Sequence, residues 1–176
     1  EVIAEAEDKI LPSLAEAASA LPFREDAPFA SDWFNGRRSP EPNPSLRATV
    51  SGLGLATDAA EVYYAIVEAT AFGVKAMVDT LVDNGVALDS ITAIGGIAVK
   101  SPFIVQFLAD VLGMDIFVPN LTQACGLGSA INAAVASGCW PTLIDAQKAM
   151  CVTEGVKYTA SSARDFSGRY ARYRNM

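Results

Sequence analysis

The chain predicts an α/β fold, rich in helix over a short parallel sheet. Two observations carry this. From Ile91 to Ser137 the pattern alternates strand, helix, strand, helix, and such alternation implies parallel strands joined by crossover helices. Upstream, Val62, Ile66, Ala69, Gly73, Met77 and Leu81 recur at helical spacing, with Val67, Val74 and Val78 widening the stripe, so a long helix is buried on most of its surface. The totals agree with a folded unit: of 176 residues, 51% are hydrophobic and only 19% charged, enough for one domain with a real core.

The elements follow in order. Glu1 to Leu21 is rich in Ala, Glu and Leu, with Ile3, Ile10, Leu14 and Ala17 near helical spacing. Pro12 should break it or divide it into two short helices. Pro22 and Pro28 flank a loop; Phe29, Trp33 and Phe34 anchor the next segment, and Asn35-Gly36 makes a turn. Arg37 to Ser45 carries Pro40, Pro42 and Pro44 and is an extended surface loop. It is either a solvated connection or a lid or interdomain contact through Arg37 and Arg38. Thr57 or Asp58 caps the long helix, Glu61 completing a capping box with Asp58. Gly73 within that helix points to close backbone packing, since glycine costs about 1 kcal/mol there relative to Ala. Asn84-Gly85 ends it in left-handed fashion.

Strand Ile91–Gly95 comes next, then helix Pro102–Leu112, strand Asp115–Val118 and a small-residue helix from Thr122 to Ser137. The tail from Thr142 onward is expected to be helical, with Arg164 to Arg174 as a solvated face bearing aromatic anchors.

Chemistry is narrowed by what is missing. There is no histidine, which removes a His-based triad and most zinc sites from this chain. The formal charge of -7 disfavours a nucleic-acid partner. No run approaches the ~18–20 apolar residues of a membrane span, and no basic-then-apolar leader opens the sequence. Cys125, Cys139 and Cys151 are expected to be small buried hydrophobes in a reducing, cytoplasmic setting. Because Glu1 falls inside a helical stretch and no Met opens the sequence, a piece of a longer protein is expected.

The most informative segment is Ile91-Thr-Ala-Ile-Gly-Gly-Ile-Ala-Val-Lys-Ser-Pro102. A strand that stops at two glycines and restarts as a helix lets a phosphate or ribose approach bare backbone, beside free N–H donors. A nucleotide suits it best. It is neither a dinucleotide fingerprint, which needs a third glycine, nor a P-loop.

Gly95-Gly96, Ser101, Gln106, Ala109-Asp110, Gly113, Pro119 and Gly126-Leu-Gly-Ser-Ala130, in that order, resemble the C-terminal part of the FGGY carbohydrate kinases. That family belongs to the superfamily of sugar kinases, heat-shock proteins and actin. Asp32-Trp-Phe-Asn-Gly-Arg-Arg38 with Leu46-Arg47 and Gly52-Leu53, and Glu68-Ala-Thr-Ala-Phe-Gly73, are similar to its upstream loop and long helix. Within the family, the first of these together with Gly95-Gly-Ile-Ala-Val-Lys100 looks most like members acting on a ketopentose.

The resemblance implies the C-terminal part of an actin-like (ribonuclease H-like) ATPase domain, its sheet incomplete because the first strands lie upstream. It implies ATP and Mg²⁺ as cofactors and a small sugar as second substrate. Residues 1–176 would then be a partial nucleotide-binding lobe, lacking the sugar-binding lobe and the catalytic Asp, with no catalytic residue of its own. Gly95 and Gly96 would admit the nucleotide, with Ile97 beside them. Ser101, where relatives often hold Asn, would face adenine or ribose. Lys100 either lies near the phosphates or is simply solvated. The fragment alone is expected to be inactive. A homodimer is one assembly open to it, and a non-enzymatic nucleotide-sensing or scaffold module is the other class of reading.

Overall fold

The computed structural model describes residues 2–176, with side chains from Lys9 onward. Helix α1 (Val2–Ser19) leads into a two-stranded antiparallel sheet of β1 (Phe29–Ala30) and β2 (Val50–Ser51), and then into α2 (Ala59–Asp83). After these come β3 (Ile91–Thr92), α3 (Gly96–Lys100), α4 (Pro102–Leu112), β4 (Ile116–Pro119), α5 (Ala124–Ala136), α6 (Leu143–Met150), β5 (Gly155–Tyr158) and α7 (Ser167–Arg174).

The expected break at Pro12 does not occur: α1 runs through it. Pro12 is exposed, and the turns after it pack on α2 and α4, burying Ala18, so tertiary contact offsets one lost hydrogen bond. The buried position is Ala18 rather than Ala17, and Ile10 is exposed; Ile3 lies outside the described side chains. Of the three expected aromatic anchors, Phe29 and Trp33 are buried and Phe34 is exposed.

α2 starts as expected. Asp58 accepts from the Glu61 N–H at 2.9 Å, and the Glu61 side chain accepts from the Asp58 N–H at 3.2 Å. Gly85, at φ +82°, provides the left-handed stop. The buried face runs through Ala60, Tyr64, Ala65, Val67, Glu68, Ala71, Phe72 and Ala76, while Met77 and Leu81 are exposed, so only the first two-thirds of the helix is enclosed. Gly73 is there for close approach: a Cβ would stand 2.6 Å from Asp32 Oδ2.

The second sheet has the order β3-β4-β5. β3 pairs parallel to β4, with Ile91 opposite Ile116, as the alternation implies. β5 falls in the tail expected to be helical, and it pairs antiparallel to β4 with Gly155 opposite Pro119. The sheet is therefore mixed. Gly155 permits that register, because a Cβ there would run into the Val118 carbonyl oxygen and the Phe117 ring. Lys157 Nζ reinforces it with a 2.7 Å ion pair to Asp115.

The larger core gathers Phe29, Trp33, Tyr64, Phe72, Phe107, Phe166 and Tyr173; a smaller one under the sheet holds Ala98, Val105, Ala109, Ile116 and Val118. The tail contributes more than a solvated face. Arg169 is fully buried and donates to both Glu68 carboxylate oxygens, to Oε1 at 2.7 Å. Its remaining N–H groups reach the carbonyls of Arg24, Glu25, Ala27 and Pro28.

Candidate functional site

The β3–α3–α4 segment carries the glycine pair and Ser101 that the sequence singles out. β3 leaves the sheet after Thr92, with Ala93 N–H donating to the Phe117 carbonyl at 2.9 Å. Gly95 turns the chain at φ +98°, a conformation that favours glycine, and α3 starts at Gly96. Gly96 has no such backbone demand, and a Cβ on either glycine would meet nothing within 4 Å. Both glycines and Ile97 are exposed, and Ala98 alone pins the short helix to the core. The paired glycines thus present open backbone.

Ser101 joins two helices. Its N–H donates to the Ile97 carbonyl at 3.0 Å, closing α3, and its carbonyl accepts from Val105 N–H, opening α4. Pro102 fills the first turn of α4, where its missing N–H costs nothing. The Ser101 side chain makes no cap hydrogen bond at the start of α4. Val105, Phe107, Ala109 and Val111 bury the inner face of α4 and fix the junction.

Sequence reasoning missed Tyr63, on the first turns of α2. Its ring stacks on Phe103, centroids 6.3 Å apart and planes at 27°. Burial pushes its phenol up from the ordinary value, and the Ser101 side chain nearby pulls it partly back. One tyrosine among five gives no sequence signal; only packing singles it out.

The remaining motif residues do other work. Gln106 Nε2 donates to Asp110 Oδ1 at 2.7 Å and to the Thr159 carbonyl at 2.9 Å, and Asp110 accepts from Ser161 N–H at 2.9 Å. The pair fastens the segment after β5. Lys100 is exposed at the end of α3. Arg37 lies over the Trp33 ring at 5.2 Å and donates to Glu41, while Arg38 is exposed. Cys125, Cys139 and Cys151 are all free and exposed, correcting the expectation of buried hydrophobes: they fall on outer turns of α5 and in the loops around α6. Among the described residues no group of three His, Cys, Asp or Glu could hold a metal, so these side chains do not by themselves fit Mg²⁺. No helix among the described residues is long and apolar enough to cross a membrane.

A strand ending at bare glycines, helices in series behind it and a long buried helix closing the layer define part of an actin-like ATPase domain. Solved structures share this fold. The xylulose kinase of Rhodospirillum rubrum superposes with a TM-score of 0.75 at 24% identity, over 98% of this chain and 34% of that one. The Plasmodium falciparum glycerol kinase with ADP gives 0.72 at 19% identity, over 93% and 32%. Residues 1–137 match the C-terminal domain of the FGGY family of carbohydrate kinases, and the chain belongs to that family. A ribulokinase of Vibrio parahaemolyticus is 41% identical over 170 residues, 96% of this chain and 30% of the relative. The chain thus spans about a third of the length of the relatives it matches.

Proposed function

We propose that residues 1–176 form the nucleotide-binding C-terminal lobe of an ATP-dependent carbohydrate kinase that converts L-ribulose to L-ribulose 5-phosphate. Gly96 carries the nucleotide assignment. Neither backbone conformation nor neighbouring atoms require glycine there, so the absent side chain makes room for something outside the chain. Gly95, Gly96 and Ile97 receive the adenosine moiety, and Ser101 faces base or ribose.

In the reaction a sugar hydroxyl oxygen bonds to the γ-phosphorus of ATP as the bond to the β,γ-bridging oxygen breaks. ADP leaves, and the hydroxyl proton goes to an Asp in the other lobe. Such chemistry is chiefly positioning and charge neutralisation, so one lobe can contribute a nucleotide platform without a catalytic side chain. The isolated lobe therefore phosphorylates nothing. Mg²⁺ accompanies ATP and supplies charge neutralisation when bound.

Ribulose as substrate is supported by the 41% identical relative. Xylulose or glycerol is the second reading, favoured by the xylulose and glycerol kinases among the superposed structures. The test is Gly96→Val in the full-length protein. The KM for ATP should rise at least tenfold while the KM for L-ribulose holds. Unchanged ATP kinetics would make the turn purely structural, and turnover of xylulose or glycerol in preference to ribulose would replace the substrate.

A further inference from the structure

Four residues at helical spacing on α4 line one cleft. Phe103 and Phe107 form an aromatic pair with centroids 5.9 Å apart, and Gln106 and Asp110 form a polar pair one turn along. The cleft holds about 600 Å³, within the range of small-molecule sites, and Tyr158, Ser161 and Arg164 line its far side. That far side is tied down. Gln106 donates to the Thr159 carbonyl, Ser161 N–H donates to Asp110, and Ala160 N–H donates to Asp115 at 3.0 Å. Both partners of Gln106 Nε2, Asp110 Oδ1 and the Thr159 carbonyl, are acceptors, which fixes the orientation of the carboxamide. Among the described residues no donor reaches Gln106 Oε1 or Asp110 Oδ2, so two oriented acceptors stand free beside the rings.

Charge decides what this arrangement suits. Among the described residues that line the cleft, Asp110 and half-buried Arg164 are the charged ones, and they form no ion pair with each other. Their charges oppose, so neither a simple anion nor a simple cation is favoured there. A neutral molecule rich in hydroxyls uses both: it donates to Gln106 Oε1 and Asp110 Oδ2 and accepts from the Arg164 guanidinium. Phe103, backed by the buried Phe107, offers its ring to the molecule's C–H face. We infer that this cleft is a second sugar site, separate from the Gly95–Ser101 segment, which takes a small unphosphorylated sugar or polyol. The nucleotide reading is not needed for it; the choice of L-ribulose as probe rests on the substrate reading above.

The test is calorimetric titration of the full-length kinase with L-ribulose in the absence of ATP, on the parent, Arg164→Gln and Asp110→Asn. Asparagine keeps an acceptor for the Ser161 N–H, so the far side of the cleft stays tied. The parent should bind two sugars per chain. A hydrogen bond to a charged group corresponds to about a tenfold to hundredfold change in Kd. Each variant should weaken one of the two sites by that factor and leave the other unchanged. A single site that both variants weaken supports the cleft and removes the substrate reading instead. Sites that both variants leave unchanged, or that only one of them weakens, overturn the assignment. Inorganic phosphate and L-glutamine are titrated alongside. An anion would be weakened by Arg164→Gln and tightened by Asp110→Asn, so that pattern with phosphate overturns a neutral ligand. Tighter binding of L-glutamine, a zwitterion, than of L-ribulose at this cleft overturns the sugar.

Discussion

Arg169→Leu is the most incisive test of how this chain holds together. The side chain is 2% exposed and Glu68 is 0% exposed, so the pair is sealed from water. Removing one partner of a buried pair costs about 3–5 kcal/mol, because the other charge stays buried without compensation. The carbonyls of Arg24, Glu25, Ala27 and Pro28 lose their donor as well. That loss is a large share of the ~5–15 kcal/mol that keeps a domain folded. For a chain of this size it corresponds to a fall in melting temperature of roughly 6–20 °C.

Urea and thermal denaturation followed by circular dichroism would measure it. The pH dependence has a definite sign. Burial holds the Glu68 carboxyl above its ordinary value of 4.5 even with Arg169 donating to it, and losing Arg169 raises it further, so the folded variant favours the proton. Stability from that preference is fully present below the unfolded value and is lost as pH rises through the folded one. The variant should lie closer to the parent at pH 4 than at pH 7. Glu68→Leu combined with Arg169→Leu should recover part of the loss, though the four carbonyls remain without their donor. A single-variant cost below about 1 kcal/mol, or a double variant no better than the single, would refute the sealed-pair account.

Three further outcomes are expected. The Tyr64 hydroxyl is buried without a hydrogen-bond partner, its pKa pushed up to about 12 chiefly by burial, so Tyr64→Phe should be neutral or stabilising by up to about 1 kcal/mol; a clear loss in urea titration would mean that the hydroxyl is engaged. Burial alone would raise the Asp79 carboxyl, but hydrogen bonds from Tyr170 and Lys75 hold it below 3.8. Its contribution is therefore present above that value and lost as pH falls through the folded one, so the cost of Asp79→Asn should shrink between pH 7 and pH 3, and an equal cost at both would contradict it. Gly155→Ala should lose about 1–3 kcal/mol by overpacking against β4, whereas Gly128→Ala, in open space within α5, should gain about 0.5–1 kcal/mol; equal effects in thermal melts would deny the difference in room.

What the sequence made legible was the part governed by local rules. Asp58 with Glu61, Asn84-Gly85, the parallel β3–β4 pair and the Gly95-Gly96 turn all follow from capping, turn and periodicity chemistry, and all are present. What stayed hidden depends on partners far along the chain. Arg169 reads as a surface residue until Glu68, 101 positions away, encloses its charge. β5 offers four residues, one of them a glycine, too short a pattern to announce a strand before β4 stands beside it. Pro12 signals a break that packing on α2 overrides. Tyr63 stands out only through Phe103, 40 positions on, whose ring it meets in space.

The tail and the glycine turn belong to one mechanical unit. The family match ends at residue 137, yet Phe166, Arg169, Tyr170 and Tyr173 all come from beyond it. Phe166 sits edge-on to Phe107 at 5.3 Å and to Phe72 at 6.4 Å, so α7 bears on α4 and α2 together. α4 begins at the junction residue Ser101, and α2 carries Tyr63. Any change that lifts α7 must therefore loosen α2 and α4, so the elements that hold the Gly95–Ser101 segment lie partly outside the stretch that marks the family.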